Sequence, residues 1–139
     1  MTAGVDLGQP QAQAIRSDED VVRVRQLVRT VSVAVKLSLV DQTKVVTAAS
    51  ELARNTLVYG GGGMVEVTTV DNGRRRGVRI VFADSGPGIA DLDLALTDGY
   101  TTGGGLGLGL SGARRLVDEF DIQTAAGEGT RITVTKWSR

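Results

Sequence analysis

Gly103-Gly104-Gly105-Leu106-Gly107-Leu108-Gly109 places five glycines in seven positions, and Ser111 to Glu119 follows with a helical pattern. Backbone N–H groups near a helix N-terminus attract phosphate through unpaired donors and the helix dipole, and glycine lets the phosphate come close. The run is not a Walker P-loop, because Gly-x-x-x-x-Gly-Lys-Ser/Thr is missing. Nor is it a convincing dinucleotide fingerprint, since it does not follow the first strand of a βαβ unit. It is the most specific of three stretches, and taken alone its bland alternative is a purely flexible loop. Two other stretches decide between these readings.

The first is Glu51-Leu52-Ala53-Arg54-Asn55. Val45, Ala49, Leu52, Ala53 and Thr56 form the core-facing arc of a helix expected from an Asp41 cap to about Tyr59. Asn55 then lies at the edge of that arc, Glu51 lies just beyond it, and Arg54 points away. Magnesium prefers oxygen ligands and keeps several waters, so the Asn55 amide oxygen plus phosphate oxygens suffices to hold Mg²⁺. Glu51, one turn earlier, is suited to orient or deprotonate an attacking hydroxyl.

The second is Asp84-Ser85-Gly86-Pro87-Gly88. An ionised carboxylate only accepts hydrogen bonds, and the exocyclic amine of adenine donates them. Guanine presents a carbonyl at that position, so Asp84 favours adenine. Gly86 and Gly88 let the chain turn and let a flat base approach the backbone. An edge Glu–Asn pair and an ordinary Asp-Ser-Gly turn are the bland alternatives. The three stretches together make ATP binding the leading expectation.

The flanking sequence supplies the scaffold. Residues 1–10 read as a loose tail and residues 11–139 as a single domain. Gln11 to Arg16 fits a short edge strand. Ser17 or Asp18 can cap a helix in which Val21, Val24, Val28, Val31 and Val35 recur at spacings of three and four. Met64 to Val70 and Val78 to Ala83 read as a hairpin, with Arg74-Arg75-Arg76 at its solvated tip. Asp91 to Leu96 fits one helical turn, and Thr97 to Gly105 a mobile loop. Phe120 to Ala125 and Thr130 to Trp137 suggest a second hairpin around Gly127-Glu128-Gly129. The order predicts an α/β (α+β) two-layer sandwich, with helices on one face of a mixed, mostly antiparallel sheet.

Composition narrows the chemistry. Lys+Arg and Asp+Glu stand at 16 each, which argues against a nucleic-acid or membrane-surface binder. There is no cysteine and no histidine, so disulfides, Cys/His zinc sites and a histidine base are excluded. No apolar run approaches the roughly 20 residues of a membrane span. No secretory signal is visible, and the cytoplasm is the expected compartment.

With these residues in place, the chain resembles the Bergerat-fold (GHKL) ATPases shared by gyrase, Hsp90-type chaperones, histidine kinases and MutL proteins. Within them it is most similar to the anti-sigma-factor serine/threonine kinases of the stressosome switch type. Leu39-Val40-Asp41-Gln42-Thr43-Lys44 running into Ala49 to Asn55 carries much of the likeness. Asp98-Gly99-Tyr100-Thr101-Thr102, Gly112 to Phe120, Gly127-Glu128-Gly129-Thr130 and Lys136-Trp137 agree.

The resemblance implies roles: Asn55 for Mg²⁺, Glu51 as general base toward a serine or threonine hydroxyl, and Asp84 for the adenine amine. It also implies Gly88 lining the base pocket, and Gly103, Gly104, Gly105, Leu106, Gly107, Leu108 and Gly109 as an ATP lid. Thr130 would assist the adenine contact through water. Implied substrates are STAS-domain scaffold and antagonist proteins, and the released kinase would activate a downstream phosphatase or other signalling protein. The alternative is a nucleotide-dependent partner-switching module with little turnover. Glu51 separates the two, because binding alone does not require it.

Overall fold

A computed structural model describes residues 9–89, 96 and 109–139. The chain runs β1 (Gln11–Ile15), α1 (Asp18–Ala34), α2 (Leu39–Val58), β2 (Gly63–Asp71), β3 (Arg76–Asp84), α3 (Gly109–Arg115), β4 (Glu119–Thr124) and β5 (Thr130–Trp137). The strands form one sheet in the order β1-β2-β3-β5-β4, and every pairing among the described residues is antiparallel. The expected mixed sheet is therefore wholly antiparallel among these residues.

Alternation along the strands builds one apolar face. Val65 pairs with Phe82, and Val67 with Ile80, across β2–β3. Ile80 then pairs with Val134, and Phe82 with Ile132, across β3–β5. All six are buried, and α1 and α2 pack on this row. Side chains of successive strand residues point to opposite faces, so a single register places all six toward the helices.

In α1, Val21, Val24, Val28 and Val31 are buried at helical spacing, and Ser17 caps the first turn by accepting from the Asp20 N–H. Val35 is buried too, but as the residue that ends the helix. In α2 the predicted arc of Val45, Ala49, Leu52, Ala53 and Thr56 is wholly buried, and Arg54 is exposed.

The predicted cap of α2 needs correction. Ser38, not Asp41, is the N-cap, and its hydroxyl accepts from the Asp41 N–H at 3.1 Å. Asp41 lies in the first turn with its carboxylate buried against Lys136. The serine precedes two exposed hydrophobic residues, Leu39 and Val40, which obscured the start of the helix.

Other boundaries shift modestly. The first hairpin strands extend to Gly63–Asp71 and Arg76–Asp84, because Asp71 and Asn72 side chains close the tip onto the Gly73, Arg74 and Arg75 N–H groups. The helix expected over Ser111 to Glu119 is Gly109–Arg115, and β4 begins at Glu119. A turn bond from the Leu116 N–H to the Ala113 carbonyl closes that helix early. The tail over 1–8, the turn over 91–95 and the loop over 97–105 lie outside the described residues.

Candidate nucleotide site

Of the predicted residues, Asp84 and Thr130 stand at one end of the sheet, and the end of α2 reaches Asp84 there through Gly60. Asp84 is the last residue of β3, and Thr130, the first of β5, is its partner in register. Glu51 and Asn55 stand one turn apart in the second half of α2, both half-buried. Among the described residues no hydrogen bond holds the Glu51 carboxylate or the Asn55 side-chain amide. Both remain open to a ligand.

A main-chain turn brings α2 to Asp84. The Tyr59 and Gly60 N–H groups both donate to the Asn55 carbonyl, at 2.9 and 3.2 Å, and wind up the end of the helix. Gly60 then lies flat against the Asp84 carboxylate. A Cβ there would stand 2.5 Å from Asp84 Cγ and 2.7 Å from Oδ2, so no larger residue fits without moving Asp84. The sequence signal was present in Gly60-Gly61-Gly62-Gly63, but it read as a helix stop rather than as a site wall.

Asp84 is oriented by the turn that follows it. Its Oδ1 accepts from the Gly86 N–H at 2.9 Å, which leaves Oδ2 with acceptor capacity. Gly88 has φ +74°, and a Cβ on it would collide with the Ala125 carbonyl. Only glycine combines that backbone with that approach. The Gly127 N–H also donates to the Pro87 carbonyl at 2.6 Å, fastening the Asp84 turn to the β4–β5 connection.

Thr124 is the residue that sequence reasoning missed. Its Oγ1 accepts from the Ile89 N–H at 2.9 Å and lies 3.1 Å from the Gly129 carbonyl and 2.9 Å from Thr130 Oγ1. One proton assignment satisfies all three contacts. Thr124 donates to Gly129, and Thr130 donates to Thr124. The Thr130 oxygen then keeps its lone pairs toward the cleft beside Asp84, as an acceptor for an amine or a water.

The donor set suits a metal shared with phosphate better than a protein cage. Among the described residues no group of three Asp or Glu side chains could hold an ion. The Asn55 amide oxygen with Glu51 one turn away matches the sparse oxygen ligation that Mg²⁺ accepts when phosphates complete its shell. Gly109, with φ +71°, opens α3, and Leu110 and Ala113 bury that helix against α2. Gly103, Gly104, Gly105, Leu106, Gly107 and Leu108 lie outside the described residues.

Residues 40–138 match the family model described as histidine kinase-, DNA gyrase B-, and HSP90-like ATPase. The chain belongs to this ATPase family. Serine/threonine-protein kinase RsbT of Bacillus subtilis (strain 168) is 44% identical over 125 residues, covering 90% of this chain and 94% of the relative. The chain therefore stands on the serine/threonine protein kinase branch of these ATPases. Anti-sigma F factor of Clostridium kluyveri is 29% identical over 117 residues, covering 76% of this chain and 81% of that protein.

Solved structures of the family agree on the fold. A Mycobacterium tuberculosis structure of RsbU and RsbW domains superposes with a TM-score of 0.66 at 24% identity, covering 94% of this chain and 33% of that one. The mycobacterial sensor histidine kinase MprB gives 0.56 at 19% identity, covering 95% of this chain and 98% of that one.

Proposed function

We propose that the chain is an Mg-ATP-dependent kinase that phosphorylates serine or threonine on STAS-domain scaffold and antagonist proteins of a bacterial stress-signalling partner switch. When released from these partners it binds and activates a downstream phosphatase or other signalling protein. No helix among the described residues is long and apolar enough to cross a membrane, and the cytoplasm is the compartment that fits such partners.

The observation that carries this reading is the convergence of α2 and β3. Glu51 and Asn55 share a half-buried side of one helix, and Gly60 at the end of that helix is seated against Asp84. Phosphoryl transfer needs alignment and charge neutralisation more than covalent help. Asp84 Oδ2 and Thr130 Oγ1 accept from the adenine amine, directly or through water, and Gly86 and Gly88 let the ring approach. Asn55 would hold Mg²⁺, which would supply charge neutralisation at the phosphates. The glycine run Gly103–Gly109 would serve as the lid over them.

Glu51 accepts the proton of the incoming serine or threonine hydroxyl as its oxygen attacks the γ-phosphorus. The bond to the β-phosphate oxygen breaks, and ADP leaves with that electron pair. A carboxylate is a modest base, so its effect comes from position at the moment of transfer.

The test is radiolabelled ATP with a purified STAS-domain partner. Label transfer that Glu51→Ala abolishes, while calorimetric nucleotide binding survives, is the expected result. Absence of transfer to any cognate STAS protein would sink the kinase reading. It would leave a nucleotide-dependent partner switch, the alternative favoured by the likeness to anti-sigma F factors.

A further inference from the structure

At the other end of the sheet, four charged side chains from distant parts of the chain form one cluster. Lys136, near the end of β5, has a side chain only 5% exposed. Its Nζ lies 3.6 Å from Asp41 Oδ1 in the first turn of α2 and 3.3 Å from Asp118 Oδ1 just beyond α3. Arg139 spans the same two acids from the surface, with Nε 3.7 Å from Asp41 Oδ2 and Nη2 2.6 Å from Asp118 Oδ1. Two acids and two bases leave the cluster neutral. The Asp118 N–H donates to the Thr135 carbonyl, and Asp118 Oδ2 accepts from the Trp137 N–H at 2.8 Å.

The two elements that Lys136 joins carry the two arms of the nucleotide site. Its own strand begins with Thr130, beside Asp84. The helix it grips at Asp41 carries Glu51 and Asn55 further along. Strand and helix are each rigid, so the offset between them at Lys136–Asp41 sets the offset at the other end. A buried ion pair adds little net stability after desolvation, and its best-attested use is fixing one geometry among several. The hydrophobic contact between α2 and the sheet is non-directional and tolerates sliding. A buried ammonium between two carboxylates does not.

We propose that Lys136 is a positioning residue for the nucleotide site, holding α2 at the offset from β5 that lets the Mg-phosphate arm meet the base arm. This rests on the site assignment made under Proposed function. Breaking the pair shifts Asn55 and Glu51 relative to Asp84 and Thr130, while the base pocket, carried by β3, β5 and the turn after Asp84 and touched from the α2 side at Gly60, keeps most of its shape.

The experiment compares Mg-ATP with ADP in EDTA, by calorimetry, on wild type and Lys136→Met. The expected result is an Mg-ATP affinity lowered by about tenfold with ADP affinity in EDTA held within about twofold. A merely structural role would lower the melting temperature and leave both affinities of the folded protein alike. Equal change in both, or no change in either, overturns the proposal.

Should Lys136→Met fail to fold, Asp41→Asn/Lys136→Met leaves the Asp118–Arg139 pair neutral, and the same split is read there. Failure of both to fold also overturns it, marking the cluster as a folding determinant. Wild type that binds neither nucleotide defeats the site assignment itself. That outcome is distinct from a wild type that binds while the variant shows no split.

Discussion

The Thr124 and Thr130 hydroxyls lie 2.9 Å apart across the terminal pair of the β4–β5 ladder, and Thr130 is also the register partner of Asp84. Thr124 takes the Thr130 proton and the Ile89 N–H together. It sets which way the Thr130 oxygen presents itself.

Thr124→Val keeps the side-chain volume and removes that hydroxyl. Thr130 is then free to rotate, and the Ile89 N–H loses its acceptor. Loss of one neutral hydrogen bond corresponds to about 1 kcal/mol, or roughly fivefold weaker ATP binding by calorimetry. Thr130→Val is expected to cost a similar amount. The double variant should lose less than the sum, because the two hydroxyls act as a unit.

Asp84→Asn swaps one acceptor oxygen for an amide that donates. The adenine amine loses a charge-assisted bond worth roughly 1.5–3 kcal/mol, about tenfold or more in affinity. Unchanged ATP binding in a titration would mean that the base sits elsewhere.

Gly60→Ala tests the contact between α2 and β3. The new Cβ would lie 2.5 Å from Asp84 Cγ, so the carboxylate or the helix end must move. Overpacking of this kind costs about 1–3 kcal/mol, read as a lower urea midpoint. Nucleotide affinity should fall along with it, since the displaced group is Asp84.

Acid sensitivity follows from two carboxylates held below their ordinary range. For Asp118, burial is the largest influence and works against the charged form. The Trp137 N–H, Lys136 and Arg139 together outweigh it and leave the group lowered from 3.8. For Asp20, the Arg16 N–H at 2.9 Å leads, and Arg23 at 2.8 Å adds to it against the effect of burial. A depressed carboxylate contributes stability that is present above its unfolded pKa and is lost as pH falls through the folded one. Urea midpoints should therefore hold steady from neutral pH to about 5 and decline below about 4. Asp20→Asn should flatten that decline. An unaltered acid limb would show that Asp20 titrates as it does in the unfolded chain.

Legibility differed by the range of the interactions. The valines of α1 and the buried arc of α2 were readable because a helix writes its period into adjacent residues. Glu51 and Asn55 were placed on a common side by the same rule. Asp41 was misread as a cap because its actual partner, Lys136, comes from the opposite end of the chain, and no local pattern links them. Gly60 and Thr124 escaped for a similar reason. Gly60 matters because the Asp84 side chain crosses it, and Thr124 because three separate groups converge on one oxygen. Neither follows from spacing.

Trp137 gives the molecule a built-in reporter. It is the single tryptophan of the chain. Its indole N–H donates to Glu119 Oε2 at 2.6 Å, and its main-chain N–H is tied to Asp118. The fluorophore therefore sits at the Lys136 end and not beside the nucleotide. Any change in its emission wavelength on adding Mg-ATP would register motion carried the length of α2 and β5, with no dye attached. Because the chain has no cysteine, a single introduced thiol at the opposite end would complete a donor–acceptor pair for measuring that motion as a distance.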